Sequence, residues 1–170
     1  MADYLGTTGN DTYTGTVDAD TIHDGNGGND TLSGGDGNDQ MTVTGGADTA
    51  NGDAESDALI IQWADLVQSA YVSSGPNANG VLGGWDGQYY GNDGRYVTFS
   101  SIERFHVFTG AGSDTITTAS GDDVVSAGGS HDVVNVGSGN DTADGGADAD
   151  QISADLSAAT GAIAWNLITN

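Results

Sequence analysis

A chain of 170 residues carries 25 aspartates and glutamates against 2 lysines and arginines, a formal net charge of −23. With no basic patch to release counterions from phosphates or to sit on acidic headgroups, nucleic acid and anionic membrane surfaces are excluded as partners. So acidic a compact state repels itself, which leaves either a disordered chain or one folded by cations that neutralise it.

No run of about 18 apolar residues is present, so no membrane insertion is expected. Met1 to Gly6 do not open on a charged stretch followed by an apolar one, so no signal peptide of that type is visible. There is no cysteine, hence no disulfide framework. The acidic residues are almost all Asp, with Glu55 and Glu103 as the only glutamates. A solvated acidic tail usually mixes the two, so the bias points to short carboxylates held at fixed turn positions.

From the N-terminus, aspartate recurs at Asp11, Asp20, Asp30, Asp39, Asp48 and Asp57, in steps of nine with one step of ten around Asp24. A second series runs Asp114, Asp123, Asp132, Asp141 and Asp150, every step nine. Two residues after each stands an apolar residue: Tyr13, Ile22, Leu32, Met41, Ala50 and Leu59, then Ile116, Val125, Val134, Ala143 and Ile152. Two residues before it, glycine fills Gly9, Gly28, Gly37, Gly46, Gly112, Gly121 and Gly139. Glycine there permits a left-handed backbone that turns carbonyls toward an ion, and calcium takes six to eight such oxygens at about 2.3–2.6 Å. The apolar residue would face inward on a strand of about three residues, and stacking would bury what one repeat cannot.

The cleanest unit, Gly34-Gly35-Asp36-Gly37-Asn38-Asp39-Gln40-Met41-Thr42, reads G-G-x-G-x-D-x-U-x. Over roughly residues 6–60 and 109–153 the chain resembles the RTX, or haemolysin-type, calcium-binding family. The resemblance implies an all-β fold, a right-handed parallel β-roll in two blocks. Each nonapeptide would supply a turn and a short strand, with two nonapeptides to a coil.

Calcium is then the expected cofactor. Its ligands would be Asp11, Asp20, Asp30, Asp39, Asp48, Asp57, Asp114, Asp123, Asp132, Asp141 and Asp150. Backbone carbonyls near Gly9, Gly25, Gly28, Gly35, Gly37, Gly46, Gly110, Gly112, Gly121, Gly128, Gly137 and Gly139 would add to them. With two repeats per coil, Asp11, Asp30 and Asp48 line one edge and Asp20, Asp39 and Asp57 the other. Asp114, Asp132 and Asp150 form a third row, Asp123 and Asp141 a fourth. Ions between successive turns number at most about seven. Four turns depart from the pattern, with Asp18, Glu55, Ser130 and Asp148 where glycine is expected, which lowers the expectation to about four to seven ions.

Between the arrays, residues 61–108 lose the period and gather Trp63, Trp85, Tyr71, Tyr89, Tyr90, Tyr96, Phe99, Phe105 and Phe108, with both arginines. Ile60 to Trp63 and Arg95 to Phe99 read as strands, Gly75 to Gly80 and Gly91 to Gly94 as turns. Ile102 to Phe108 resembles the lead-in found ahead of RTX blocks. The expected organisation is a first block over 1–60, a β-rich aromatic insert over 61–108, a second block over 109–153, and the opening of a further strand or insert, or a cap, over 154–170. In that last part Trp165 answers Trp63, so the chain is expected to continue into further domains of a longer protein.

No H-E-x-x-H surrounds His23, His106 or His131, and no G-x-S-x-G occurs, so no enzyme activity is expected. Glu103 and Asp86 could be imagined as a glycosidase pair, but a salt bridge of Glu103 with Arg95 or Arg104 is the more ordinary expectation. The function that follows is calcium-driven folding outside the cell, in service of a larger protein that the resemblance sends through bacterial type I export. The alternative is an adhesion module that binds glycan or a cell surface, for which Trp85 and Tyr89 would have to be exposed, coplanar stacking rings, although core packing is the more ordinary expectation for both.

Overall fold

The computed structural model describes the backbone of residues 1–76, 85–118 and 120–157, and side chains over the same ranges apart from 72–76 and 85. Where one inward apolar residue is flanked by polar ones, the strand lasts three to five residues. These are β1 (Asp3–Leu5), β2 (Thr12–Thr14), β3 (Thr21–His23), β4 (Thr31–Ser33), β5 (Gln40–Val43), β6 (Ala47–Asn51) and β7 (Ala58–Gln62). The aperiodic stretch makes longer strands, β8 (Ala70–Pro76), β9 (Trp85–Gly91), β10 (Tyr96–Ile102) and β11 (Arg104–Phe108). Short strands then return as β12 (Thr115–Thr117), β13 (Val124–Ser126), β14 (Val133–Asn135), β15 (Thr142–Asp144) and β16 (Gln151–Ser153).

The strands alternate between two sheets. One runs β1-β3-β5-β7-β11-β13-β15, the other β16-β14-β12-β8-β9-β10-β6-β4-β2. All pairings are parallel except those of β9, which runs antiparallel to both β8 and β10. Among the described residues the chain is therefore an all-β parallel solenoid. Parallel register places like on like, as in Ile22↔Met41↔Leu59 and Tyr13↔Leu32↔Ala50. The inward residues pack as one core in which Ile22, Leu32, Met41, Leu59, Ile116, Val125 and Val134 are essentially inaccessible to solvent, and Tyr13, Ala143 and Ile152 lie against it toward the ends.

The stretch between the arrays contributes to both sheets. β7 pairs directly with β11, across 46 residues of chain, in the register Leu59↔Phe105 and Ile61↔Val107. β8, β9 and β10 enter the other sheet between β6 and β12. Since Val107 also pairs with Val125, the second array runs two residues out of step with the first. A shift of two keeps every inward side chain inward. Larger rings fill the middle of the roll: Tyr89 lies 5.6 Å from Phe99 and 6.0 Å from Phe105, with Phe99 edge-on to Phe105 at 5.0 Å. The turn expected at Gly91–Gly94 closes the β9–β10 hairpin through Gly94 N–H to Gly91 O at 3.0 Å. Of the turn expected at 75–80, Gly75 and Pro76 end β8 and residues 77–80 lie outside the described residues, as does Trp165.

Candidate metal-binding edges

Each aspartate of the two series sits at the end of a turn, beside the start of a strand. Asp11, Asp30, Asp48, Asp114, Asp132 and Asp150 all lead into the sheet that holds β2, and Asp20, Asp39, Asp57, Asp123 and Asp141 into the sheet that holds β1. The four rows counted from spacing thus join into two edges, one along each side of the roll.

Along each edge the carboxylates hold the next coil's backbone. Asp11 N–H donates to Asp30 Oδ1 at 2.7 Å, Asp30 N–H to Asp48 Oδ1 at 3.0 Å, Asp114 N–H to Asp132 Oδ1 at 2.8 Å and Asp132 N–H to Asp150 Oδ1 at 3.0 Å. On the other edge Asp20 N–H reaches Asp39 Oδ1 at 2.7 Å, Asp39 N–H Asp57 Oδ1 at 2.8 Å and Asp123 N–H Asp141 Oδ1 at 3.0 Å. One oxygen of each carboxylate is thereby spent on the ladder. The other has no such partner: Oδ2 of Asp30, Asp39, Asp48, Asp57, Asp114, Asp123 and Asp132 is buried without a donor. A buried acceptor left unmatched costs about 1–3 kcal/mol, more when charged. Seven of them in two files, on a chain this acidic, fit a hard cation bound by oxygen.

The turns leave room at those oxygens. A Cβ on Gly34 would stand 2.4 Å from Asp39 Oδ2, and one on Gly52 or Gly145 2.5 Å from Oδ2 of Asp57 or Asp150. A side chain there would fill the space in front of the free oxygen. Removal from water pushes Asp48 and Asp57 up to about 7 and Asp123 and Asp132 up to about 6, with neighbouring carboxylates adding to the rise. Burial likewise raises Asp30, Asp39, Asp114 and Asp141. Asp11, at the outer end, is instead held below the usual carboxylate range by the Thr7 N–H and hydroxyl, and Asp20 by the Ala2 N–H.

The irregular turns keep the turn's shape at a cost. Glu55, Ser130 and Asp148 adopt φ of 78°, 80° and 80°, the left-handed region that Gly37 occupies at 116° in the cleanest unit. A side chain held there costs roughly 1–2 kcal/mol. Ser130→Gly and Glu55→Gly are each expected to stabilise the calcium-loaded chain by about 1 kcal/mol, raising its melting temperature by about 2–4 °C in differential scanning calorimetry. An unchanged or lower temperature would show that the strain is absent.

Against known families, the profile of the RTX calcium-binding nonapeptide repeat matches four times, over residues 5–41, 24–59, 108–143 and 126–157. The chain belongs to the RTX calcium-binding repeat family. These matches together span 5–59 and 108–157, more than half of the chain. No curated protein and no solved structure gives a significant match. RTX repeats bind calcium, and four matches to that repeat mark the chain as carrying calcium-binding repeats.

Several residues fall differently from their sequence expectation. Glu103 forms no ion pair with Arg95 or Arg104 among the described residues; its Oε2 accepts the Asp57 N–H at 2.7 Å and so takes the place of the next repeat aspartate. Glu103 escapes the spacing pattern because it lies 46 residues from Asp57. Asp86 is tied to the Ser101 N–H at 3.0 Å, so both carboxylates of the imagined glycosidase pair serve the backbone. Arg95 pairs with Asp65 at 2.8 Å and with Asp93 at 2.7 Å, lying 6.0 Å from the Trp63 ring in a cleft of about 700 Å³. Its guanidinium supplies a fixed cation where the repeat lapses, and its hydrogen bond to Asp65 holds that carboxyl low. Tyr89 cannot stack on a sugar: it is 1% exposed and its hydroxyl donates to Thr117 O at 2.8 Å. Strand alternation turns Tyr90, not Tyr89, outward, where it stacks on Tyr71 at 5.3 Å. The side chain of Trp85 lies outside the described residues.

Proposed function

We propose that the chain is a calcium-triggered folding module, open at the low calcium of a cell interior and closed outside it, which serves the secretion and stability of a larger protein exported through a type I channel. It has no catalytic role of its own in this reading. The observation that carries it is the set of seven buried carboxylate oxygens without a donor. A closed roll without cations holds these in a nearly dry environment, at a cost that an open chain avoids. Calcium binds the closed state alone and shifts the equilibrium by mass action. Extracellular calcium modules have dissociation constants of about 10⁻⁴–10⁻³ M, which separates the inside of a cell from the outside. RTX repeats are typical of secreted bacterial proteins, which supports the same setting. Four to seven ions are proposed, with the eleven repeat aspartates as ligands and the turn carbonyls completing each shell.

Small-angle scattering tests the reading. The radius of gyration is expected to fall from about 40 Å in chelator to below about 20 Å in millimolar calcium, as chain-length scaling gives for open and closed chains of this size. Equal radii in the two conditions would refute it.

A further inference from the structure

Asp24 stands outside the repeat. It directly follows β3, where Gly6, Gly15 and Gly34 directly follow β1, β2 and β4. The turn from Asp24 to Asp30 is one residue longer than that from Gly34 to Asp39, which accounts for the single step of ten. The extra length carries a fully buried carboxylate into the stack. Asp24 accepts hydrogen bonds from Thr44 N–H and from Thr44 Oγ1 at 2.9 Å, and from Asn26 N–H at 3.3 Å. His23 Nδ1 lies 3.3 Å from Asp24 Oδ1 and accepts the Gly25 N–H, so its lone pair is already engaged. Thr44 belongs to the next turn, so Asp24 bridges two coils.

Carboxylate oxygens of Asp24, Asp30 and Asp48 all lie within 4.8 Å of one another, and among the described residues no other group of three such ligands comes together. Independently, Asp30 and Asp48, each 1% exposed, both keep an Oδ2 with no donor. Elsewhere on the edges successive turns bring two repeat carboxylates together; here there are three.

We infer that Asp24, Asp30 and Asp48 form a three-carboxylate cation site, the tightest on the roll and the one that most favours a trivalent over a divalent ion. The inference rests on the calcium-binding reading of the repeat. Affinity in oxygen-ligand sites rises with the number of charged ligands and with rigidity, and here the third charge is held in place by Thr44. The attraction of a third carboxylate scales with the charge of the ion, so a lanthanide gains more from it than calcium does.

Because ion binding is coupled to folding, the test starts from the chain already folded in excess calcium. One equivalent of gadolinium(III) is added and amide signals are followed by NMR. Paramagnetic broadening is expected to be strongest at residues 24–30 and 43–48 and to fall away with distance along the roll toward the second array. Terbium(III) luminescence titrations should show affinity falling at least about tenfold in Asp24→Asn, and unchanged in Asp36→Asn, an exposed acidic residue of another turn. If Asp24→Asn does not fold even in excess calcium, the wild-type broadening pattern decides alone. Broadening spread evenly along both edges, or equal terbium affinity in Asp24→Asn and wild type, would overturn the special role of Asp24 and leave the repeat sites standing. Failure of the wild-type chain to bind calcium or lanthanide at all would overturn the calcium-binding reading itself.

Discussion

In excess chelator at pH 7 the chain is expected to lose its β-sheet circular dichroism, and, still without calcium, to regain much of it when the pH is lowered to about 5. The buried carboxylates are the cause. In the closed, metal-free chain Asp48 and Asp57 are raised to about 7 and Asp123 and Asp132 to about 6, chiefly by removal from water. In the open chain they titrate near the ordinary aspartate value of about 3.9. A carboxylate whose folded value is raised gives up stability as pH climbs. Its contribution is fully present below about 4 and is lost as pH passes through 6 and 7. Each tenfold difference in proton affinity between the closed and open chain is worth about 1.4 kcal/mol, so these four groups together, discounted for solvent screening, cost the metal-free fold several kcal/mol at neutral pH. That is a large part of the stability of an ordinary domain, about 5–15 kcal/mol. At pH 5 all four are largely neutral in the fold, and roughly half of the cost is gone. The chain still carries net negative charge there, since its isoelectric point is near 4.1, so acid-induced precipitation is avoided.

Calcium inverts the sign. Bound ions require the ionised carboxylates, so protons and calcium compete for the same oxygens. Calcium affinity should therefore weaken as pH falls toward about 5, where the metal-free chain closes with its carboxyls protonated, and binding there should release protons. Titration calorimetry in buffers of different ionisation enthalpy measures that release. The two arms meet in one experiment, because the fold would be held by calcium at neutral pH and by protons in mild acid. Full β-structure in chelator at pH 7 would defeat this account, whatever happened in acid.

Much of this was legible in the residues, and what was not has identifiable causes. The ladder could be read because most repeats carry the same chemistry at the same step, so Gly37, Asp39 and Met41 are seen again at Gly46, Asp48 and Ala50. Their burial follows from stacking alone. The junction could not be read that way. The pairing of β7 with β11 joins Leu59 to Phe105 across 46 residues, and nothing local in either strand marks its partner. The same gap hid Glu103 as the stand-in for a repeat aspartate. Tyr89 and Tyr90 differ only in which face of β9 they occupy, and that parity is fixed by the register Tyr89↔Val97, not by either residue. Asp24 left a trace as the step of ten, but its meaning depends on Thr44 in the following coil.

The turn at the heart of the first edge provides a sharper contrast than any aspartate. Gly45 and Gly46 are adjacent, yet the backbone treats them differently. A Cβ on Gly45 would meet nothing within 4 Å, and its φ is not in the left-handed region. Gly46 has φ of +110°, and a Cβ there would sit 1.6 Å from the carbonyl oxygen of Gly28 in the coil below. That contact is backbone against backbone, so no side chain can move aside to relieve it. Gly46→Ala must force the turns 24–30 and 43–48 apart, disturbing the Asp30 N–H to Asp48 Oδ1 bond that spaces them. The expected loss exceeds about 4 kcal/mol, from left-handed strain plus the parting of the coils. Gly45→Ala is expected to lie within about 0.5 kcal/mol of the parent, since reduced freedom of the open chain offsets what little it disturbs. With about four ions binding cooperatively, a loss of about 4 kcal/mol raises the calcium midpoint for folding about fivefold. Calcium titrations of the two variants, followed by circular dichroism, read the difference directly. Equal midpoints for Gly45→Ala and Gly46→Ala would mean that close stacking of successive turns does not hold the ions.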